Sequence, residues 1–231
     1  LMGSSRRWRT MPWLVTLFGV LIVPLGAVSI FFIVIQPIMI GTWCTLCLIA
    51  AAAMLLQIPY SLDELVATGQ FLRRRKDEGR SLLRVFFTGD TDADNDKKSE
   101  ESFAQPVGVI IKEMLGGGIS VPWNLLLCLP IGVWLMFTRL TLDAEGRMAD
   151  ADHLIGSLVL TVLVIALAET GRAARFMLIP LGLALMVTSF IYGVGMLAVG
   201  IGIFCGIALI LLSLRRGPVK NHYCKWDNLI V

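Results

Sequence analysis

The chain has 231 residues, of which 56% are hydrophobic and only 16% are charged, and its formal net charge is +3. A soluble domain with so few charged residues could not cover its surface, so this composition excludes an ordinary water-soluble protein. Together with the mean hydropathy of +0.78, it predicts apolar surfaces that face lipid.

Apolar stretches long enough to cross a bilayer, roughly 20 residues each, recur along the chain. We predict six membrane-spanning helices, and therefore an all-α integral membrane protein. The predicted spans are 12–36, 44–60, 121–138, 153–169, 175–191 and 194–214. The first stretch is too long for a secretory signal and lacks a small-residue cleavage site. Because the chain opens with Leu1 and not with methionine, we expect it to be a fragment of a longer protein.

Charged residues are distributed unevenly among the segments that connect the predicted spans. Basic residues precede span one, follow span two, separate spans four and five, and follow span six. The connections after spans one and five are uncharged, and the connection at 139–152 is rich in acidic residues. Basic connections usually face the cytoplasm. We therefore expect a cell inner (plasma) membrane protein with both termini cytoplasmic and the connection before Cys44 extracytoplasmic.

Composition divides the chain into four predicted regions. A two-span region at 1–72 is followed by a polar cytoplasmic linker at 73–120, part of which has the composition of a disordered segment. A four-span region occupies 121–217, and a cytoplasmic tail occupies 218–231. The apolar spacing that follows Ser61 predicts a short surface helix.

The four-span region contains an internal repeat. The segment PIGVWLMFT at 130–138 matches PLGLALMVT at 180–188, with Pro, Gly, Leu, Met and Thr at identical offsets. A second apolar run follows each copy, so we predict a tandem pair of helical hairpins that enter the membrane from the same side. Small residues allow spans to pack closely. The candidates for such contacts are Gly132, Gly156, Gly182 and Gly202.

Cys44 and Cys47 form a Cys-x-x-Cys pair at the predicted start of span two. The N-terminus of a helix favours a thiolate, because its unpaired N–H groups and its dipole attract negative charge. A thiol with a lowered pKa is both a better populated nucleophile and a better leaving group. In an oxidising extracytoplasmic space, this pattern predicts a pair that cycles between dithiol and disulfide.

Three other interpretations of this pair remain open. The two residues could be buried apolar cysteines, an inert structural disulfide, or half of a zinc site. Zinc would need two further ligands, and His153 is the one candidate nearby, so we predict no metal. Cys128 and Cys205 lie inside apolar spans and are expected to be packing residues.

The segment QPIMIGTWCTLCLI, which begins at Gln36 and contains both cysteines, resembles the active-site segment of the vitamin K epoxide reductase family. The segments RWRTMPW at 7–13 and FGVLIVPLG at 18–26 look like bacterial members with extra membrane domains. The resemblance covers residues 7–72. In that family a four-helix bundle carries a Cys-x-x-Cys at the start of its last helix, beside a quinone. This chain has counterparts of the last two helices, a partial bundle.

The resemblance implies a membrane thiol oxidoreductase that passes electrons between extracytoplasmic thiols and a quinone, which serves as co-substrate. It implies that Cys47 is the quinone-side thiol and that Cys44 is the resolving residue. Gln36 and Trp43 are candidates for the quinone pocket, with a helix end and an interfacial aromatic residue as their alternative roles. The expected partners are the lipid bilayer and a thioredoxin-like or other thiol protein, and no nucleic acid.

Residues 121–217 resemble, more weakly, the SPW-repeat membrane family of tandem helical hairpins, since Pro122 and Trp123 keep part of its Ser-Pro-Trp motif. That family implies an architecture and no activity. The alternative functions for the chain are a noncatalytic membrane scaffold and a small-solute transporter. Charged residues in mid-membrane usually mark an ion path. We expect the charged residues of these spans at span ends, which argues against ion coupling.

Overall fold

The structure, a computed structural model, is helical in the part of the chain that it describes, which contains no strand. The all-α membrane fold predicted from composition is therefore confirmed. Of the predicted linker at 73–120, residues 73–90 are described and residues 91–120 lie outside the described residues, as does the predicted tail at 218–231. The described ranges are 7–90, 121–142, 146–193 and 195–217.

The helices are named here in chain order. Their bounds are α1 Arg7–Thr10, α2 Pro12–Ile35, α3 Thr45–Asp77, α4 Leu82–Thr88, α5 Trp123–Met136, α6 Thr138–Thr141, α7 Gly146–Leu167, α8 Leu178–Tyr192 and α9 Met196–Leu214. A π-helical turn, Gln36–Ile40, continues α2, and a 3₁₀ helix, Arg172–Met177, precedes α8. We call α2 and α3 the N-terminal hairpin and residues 121–217 the C-terminal unit.

Five segments of the described chain are long and apolar enough to cross a membrane, which makes the chain a multi-pass membrane protein. These segments are Pro12–Ile40, Thr45–Asp77, Gly146–Leu167, Arg172–Tyr192 and Met196–Leu214. The remaining predicted span, 121–138, is the shorter apolar helix α5 of 14 residues. At 1.5 Å per residue it is about 21 Å long, less than the roughly 30 Å of a hydrocarbon core. It ends where Phe137 leaves the helical conformation, at φ −115° and ψ 21°.

Helix α3 is longer than the sequence predicted. It runs without a break for 33 residues, so the expectation of a separate surface helix after Ser61 is wrong. Ser61 and Asp63 are buried, because this part of α3 packs against the C-terminal unit instead of lying free on the membrane surface. The predicted region boundary at residue 72 falls inside the helix.

The helices pack as antiparallel hairpins, α2 with α3, α5 with α7 and α8 with α9. Within each hairpin of the C-terminal unit, the two helices make contact through glycines at equivalent positions of the predicted repeat. A Cβ atom on Gly156 would lie 2.8 Å from the carbonyl oxygen of Gly132, and one on Gly206 would lie 2.7 Å from that of Gly182. Both pairs of helices therefore approach until their backbones touch.

The main apolar core lies inside the C-terminal unit, where buried residues of α5, α7, α8 and α9 meet. A second cluster, formed by Ile33, Ala51 and Met136, joins the N-terminal hairpin to α5. The antiparallel packing brings the end of α2, the start of α3, the end of α5 and the start of α7 together, and we call this the Cys44 end. The opposite end, which contains the end of α7, is called the Asp63 end.

Candidate redox site

Cys44 is the N-cap residue of α3. Its backbone is extended, with φ −96° and ψ 107°, as is usual for a residue that begins a helix. Its Sγ atom accepts a hydrogen bond from the backbone N–H of Cys47 at 3.3 Å. The sulfur therefore satisfies one of the N–H groups that the first turn of a helix leaves without a partner.

The same arrangement lowers the pKa of the Cys44 thiol. The largest cause is a hydrogen bond from the Cys47 side chain, the backbone N–H groups of Cys47 and Leu46 add to it, and burial acts weakly in the opposite direction. A lowered pKa raises the fraction of thiolate at neutral pH. Cys44 is thus prepared to act as a nucleophile or as a leaving group.

Cys47 is exposed, and both cysteines are free thiols in this structure. Its surroundings are apolar, since Leu46 is 78% exposed and Ile49 is 62% exposed on the same helix. Met39 and Ile40, on the turn that leads into α3, are also exposed. The residues near Cys47 in α3 and the residues of this turn are therefore apolar and exposed.

Trp43 is half-buried between the N-terminal hairpin and the C-terminal unit. Its ring stacks on Phe137 with centroids 5.2 Å apart, and it meets the His153 ring edge to face at 4.9 Å. Gln36 is half-buried at the start of the π-helical turn. The proposed contacts of Gln36 and Trp43 with a quinone stay predictions.

His153 connects three helices at the Cys44 end. Its Nε2 atom lies 2.9 Å from the carbonyl oxygen of Ile33 in α2, and its Nδ1 atom lies 3.3 Å from that of Met136 in α5. Pro37 has no N–H to donate to the Ile33 carbonyl four residues earlier. Met136 ends its helix, so its carbonyl has no partner within α5. His153 therefore faces two carbonyl groups that helix geometry leaves unsatisfied.

A zinc ion at the cysteine pair would need His153 as a third ligand. Both ring nitrogens of His153 are directed at backbone carbonyls. No cluster of three His, Cys, Asp or Glu side chains suited to a metal ion occurs within the ranges that the structure covers. Cys128 and Cys205 are buried in α5 and α9, where the sequence placed them as packing residues.

Asp63 joins the N-terminal hairpin to the C-terminal unit at the Asp63 end. Its carboxylate accepts hydrogen bonds from the backbone N–H of Glu169 at 3.1 Å and of Thr170 at 3.0 Å. The Thr170 hydroxyl donates a third at 2.8 Å. No local pattern predicts this contact, because Asp63 and Thr170 are 107 residues apart in the chain. Asp63 stands beside Glu64 in a polar stretch of the sequence, so its type alone does not indicate a buried contact.

A comparison with known proteins adds evidence about the first part of the chain. No curated protein and no solved structure matches the chain. The weaker resemblance of residues 121–217 to the SPW-repeat family stays a prediction. Residues 1–62, which include Cys44 and Cys47, match the model of the vitamin K epoxide reductase family. The resemblance predicted from the residues around the two cysteines is thereby confirmed, and the N-terminal hairpin carries the likeness to this family of membrane redox enzymes.

Proposed function

We propose that this protein is a membrane thiol oxidoreductase that passes electrons from extracytoplasmic thiols to a quinone through Cys44 and Cys47. The observation that carries the proposal is the position of Cys44 at the N-terminus of α3, where its pKa is lowered. The match of residues 1–62 to a redox family supports the same conclusion. A buried pair of apolar cysteines would not need this geometry.

The oxidised enzyme contains a disulfide between Cys44 and Cys47. A thiolate of a reduced partner protein attacks the sulfur of Cys44, and Cys47 leaves as a thiol after taking up a proton. The second thiol of the partner then loses its proton and attacks the partner's first sulfur, which is bonded to Cys44 in the mixed disulfide. This step expels Cys44. A thiol with a lowered pKa leaves more readily, so the N-cap position of Cys44 favours this step. The partner is oxidised to a disulfide, and Cys44 and Cys47 are reduced.

The reduced pair then transfers two electrons and two protons to the quinone, which becomes a quinol. Cys47 faces the apolar surface and is the thiol that meets the quinone, and Cys44 closes the disulfide afterwards. Gln36 and Trp43 are assigned to the edge of the quinone site. The cysteine pair faces the extracytoplasmic side of the plasma membrane, where a thioredoxin-like or other thiol protein supplies the electrons.

Cys47→Ala tests this proposal most directly. Membranes that contain the protein are given dithiothreitol and a short-chain ubiquinone or menaquinone, and the quinone is followed by its absorbance. We expect thiol-dependent quinone reduction by the wild type, and loss of at least 90% of that rate in Cys47→Ala. Cys205→Ala removes the same atom from a buried cysteine of α9 and should keep the wild-type rate.

The sidedness of the pair is tested separately with a membrane-impermeant maleimide. We expect the reagent to label reduced Cys44 and Cys47 on intact cells. Labelling in inverted vesicles alone would contradict the extracytoplasmic position. Undiminished quinone reduction by Cys47→Ala would overturn the redox assignment itself, and a noncatalytic scaffold would then be the better description.

A further inference from the structure

The C-terminal unit holds the segment that leads into the redox pair at several points. Trp43, the residue before Cys44, packs on Phe137 and His153. His153 contacts the carbonyl of Ile33 at the end of α2. Arg139 donates a hydrogen bond to the carbonyl of Pro37 at 3.2 Å. Each contact joins residues that are about a hundred positions apart in the chain.

The segment between the π-helical turn and α3 depends on such contacts for its conformation. Residues 41–44 have no regular secondary structure. Gly41 adopts a left-handed conformation with φ 71°, which lets the chain turn sharply without strain. Among these four residues, Trp43 and Cys44 are less exposed than their neighbours. The packing of Trp43 therefore limits the conformations that are open to the backbone of Cys44.

Cys44 needs a narrow range of conformations to act as an N-cap. Its sulfur meets the N–H of Cys47 because the Cys44 backbone is extended and α3 begins at the next residue. If Trp43 lost its packing, the segment would populate other conformations and this hydrogen bond would break part of the time. The thiolate of Cys44 would then be less stabilised.

We propose that His153 is a positioning residue for the cysteine pair, and that the C-terminal unit sets the reactivity of Cys44 through the contact between His153 and Trp43. The inference rests on the proposed redox function and assigns a role to residues 121–217 that the match to residues 1–62 leaves open. His153 acts through Trp43 and through the Ile33 carbonyl. It does not itself touch the reacting sulfur atoms.

The test compares His153→Ala with the wild-type full chain in detergent or lipid nanodiscs. The reduced protein is alkylated with iodoacetamide at a series of pH values, and the rate at Cys44 is read by peptide mass spectrometry. We expect His153→Ala to raise the midpoint of this profile by about half to one pH unit, the size of an N-cap interaction. His153→Gln keeps a donor for the Ile33 carbonyl and should cause a smaller shift.

Asn124→Ala is the matched control. Asn124 is buried in the same unit, at the start of α5 and so at the opposite end of that helix from Met136, and donates hydrogen bonds to the carbonyls of Leu212 at 2.9 Å and Arg215 at 2.8 Å. The Asn124→Ala substitution should destabilise the fold without changing the pH midpoint of Cys44 alkylation. A wild-type profile for His153→Ala, or an equal shift for Asn124→Ala, would overturn the inference.

This readout uses no quinone and no partner protein. If the wild type fails to reduce quinone, the proposed function is wrong while the alkylation profile still decides whether His153 positions the pair. If quinone reduction is present and His153→Ala leaves the profile unchanged, the redox function stands and the positioning role does not.

Discussion

Asp63→Ala removes a polar contact between the N-terminal hairpin and the C-terminal unit at the Asp63 end. The carboxylate accepts three hydrogen bonds, two from backbone N–H groups and one from a hydroxyl. Glu169 is fully buried and Thr170 is half-buried. After the substitution, the N–H of Glu169 has no water within reach, whereas the groups of Thr170 can be partly hydrated.

The expected loss of stability follows from these differences. A buried polar group left without a partner costs roughly 1–3 kcal/mol, so one fully buried and one half-buried N–H together cost about 2–4 kcal/mol. For a chain of 150–250 residues, 1 kcal/mol lowers the melting temperature by about 2–4 °C. We therefore expect Asp63→Ala to melt roughly 4–16 °C below the wild type.

Thermal unfolding in detergent, followed by circular dichroism or by a thiol-reactive dye, measures this change. Asp63→Asn retains the shape and one acceptor oxygen, so it should lose about half as much. Asp77→Ala, at the exposed end of the same helix, is the control and should melt within about 2 °C of the wild type. If Asp63→Ala melts together with Asp77→Ala, the carboxylate does not join the two parts of the protein and the reasoning fails.

Two further outcomes are expected. Gly206→Ala places a Cβ 2.7 Å from the carbonyl oxygen of Gly182 and should destabilise the fold by about 1–3 kcal/mol through overpacking. Gly200 is on the same helix, and a Cβ there would have no atom within 4 Å, so Gly200→Ala should not destabilise the fold. Equal melting temperatures for the two variants would contradict the close approach of α8 and α9. Because the pKa of Cys44 is lowered, its alkylation by iodoacetamide should reach half its maximal rate below the pH of about 8.5 typical of a free thiol. Cys47→Ala removes the largest cause of that shift and should raise the midpoint, and a midpoint unchanged in this variant would contradict the stated cause.

Much of the fold could be predicted because the relevant signals are local. An apolar run needs no knowledge of distant residues to be recognised as a span, and the Cys-x-x-Cys spacing marks one turn of helix. The equivalent glycines of the repeat were also visible, since Gly132 and Gly182 occupy the same place in two matching segments. Helix α5 is shorter than the predicted span because it ends before Phe137, whose ring stacks on Trp43.

The contacts that organise the candidate site could not be predicted in this way. His153 and Ile33 are 120 residues apart, and Asp63 and Glu169 are 106 residues apart. In both cases a polar side chain of one helix satisfies a backbone group at the end of another. The need for a partner can be read locally, as at Pro37, but the residue that supplies it is decided by the packing of whole helices.

These polar contacts have particular weight in a membrane protein. Lipid tails are as apolar as leucine side chains, so helices in a bilayer gain little hydrophobic free energy by associating. Close packing at glycines and hydrogen bonds between helices take that role. Asn124, His153 and Asp63 each satisfy backbone groups of another segment. Such hydrogen bonds therefore join neighbouring segments at both ends of the bundle.

The length of α3 has a consequence for what lies outside the bilayer. Its 33 residues extend about 50 Å, some 20 Å more than a hydrocarbon core requires. A crossing that begins at Thr45 therefore ends before the basic cluster at 73–76, which lies farther along the same unbroken helix. Arg75 and Arg80 form ion pairs with Asp90 there, and the N–H of Asp90 bonds the Arg9 carbonyl ahead of α2. These contacts tie residue 90 both to the end of α3 and to the chain ahead of α2, so they hold the two helices of the N-terminal hairpin together at that end.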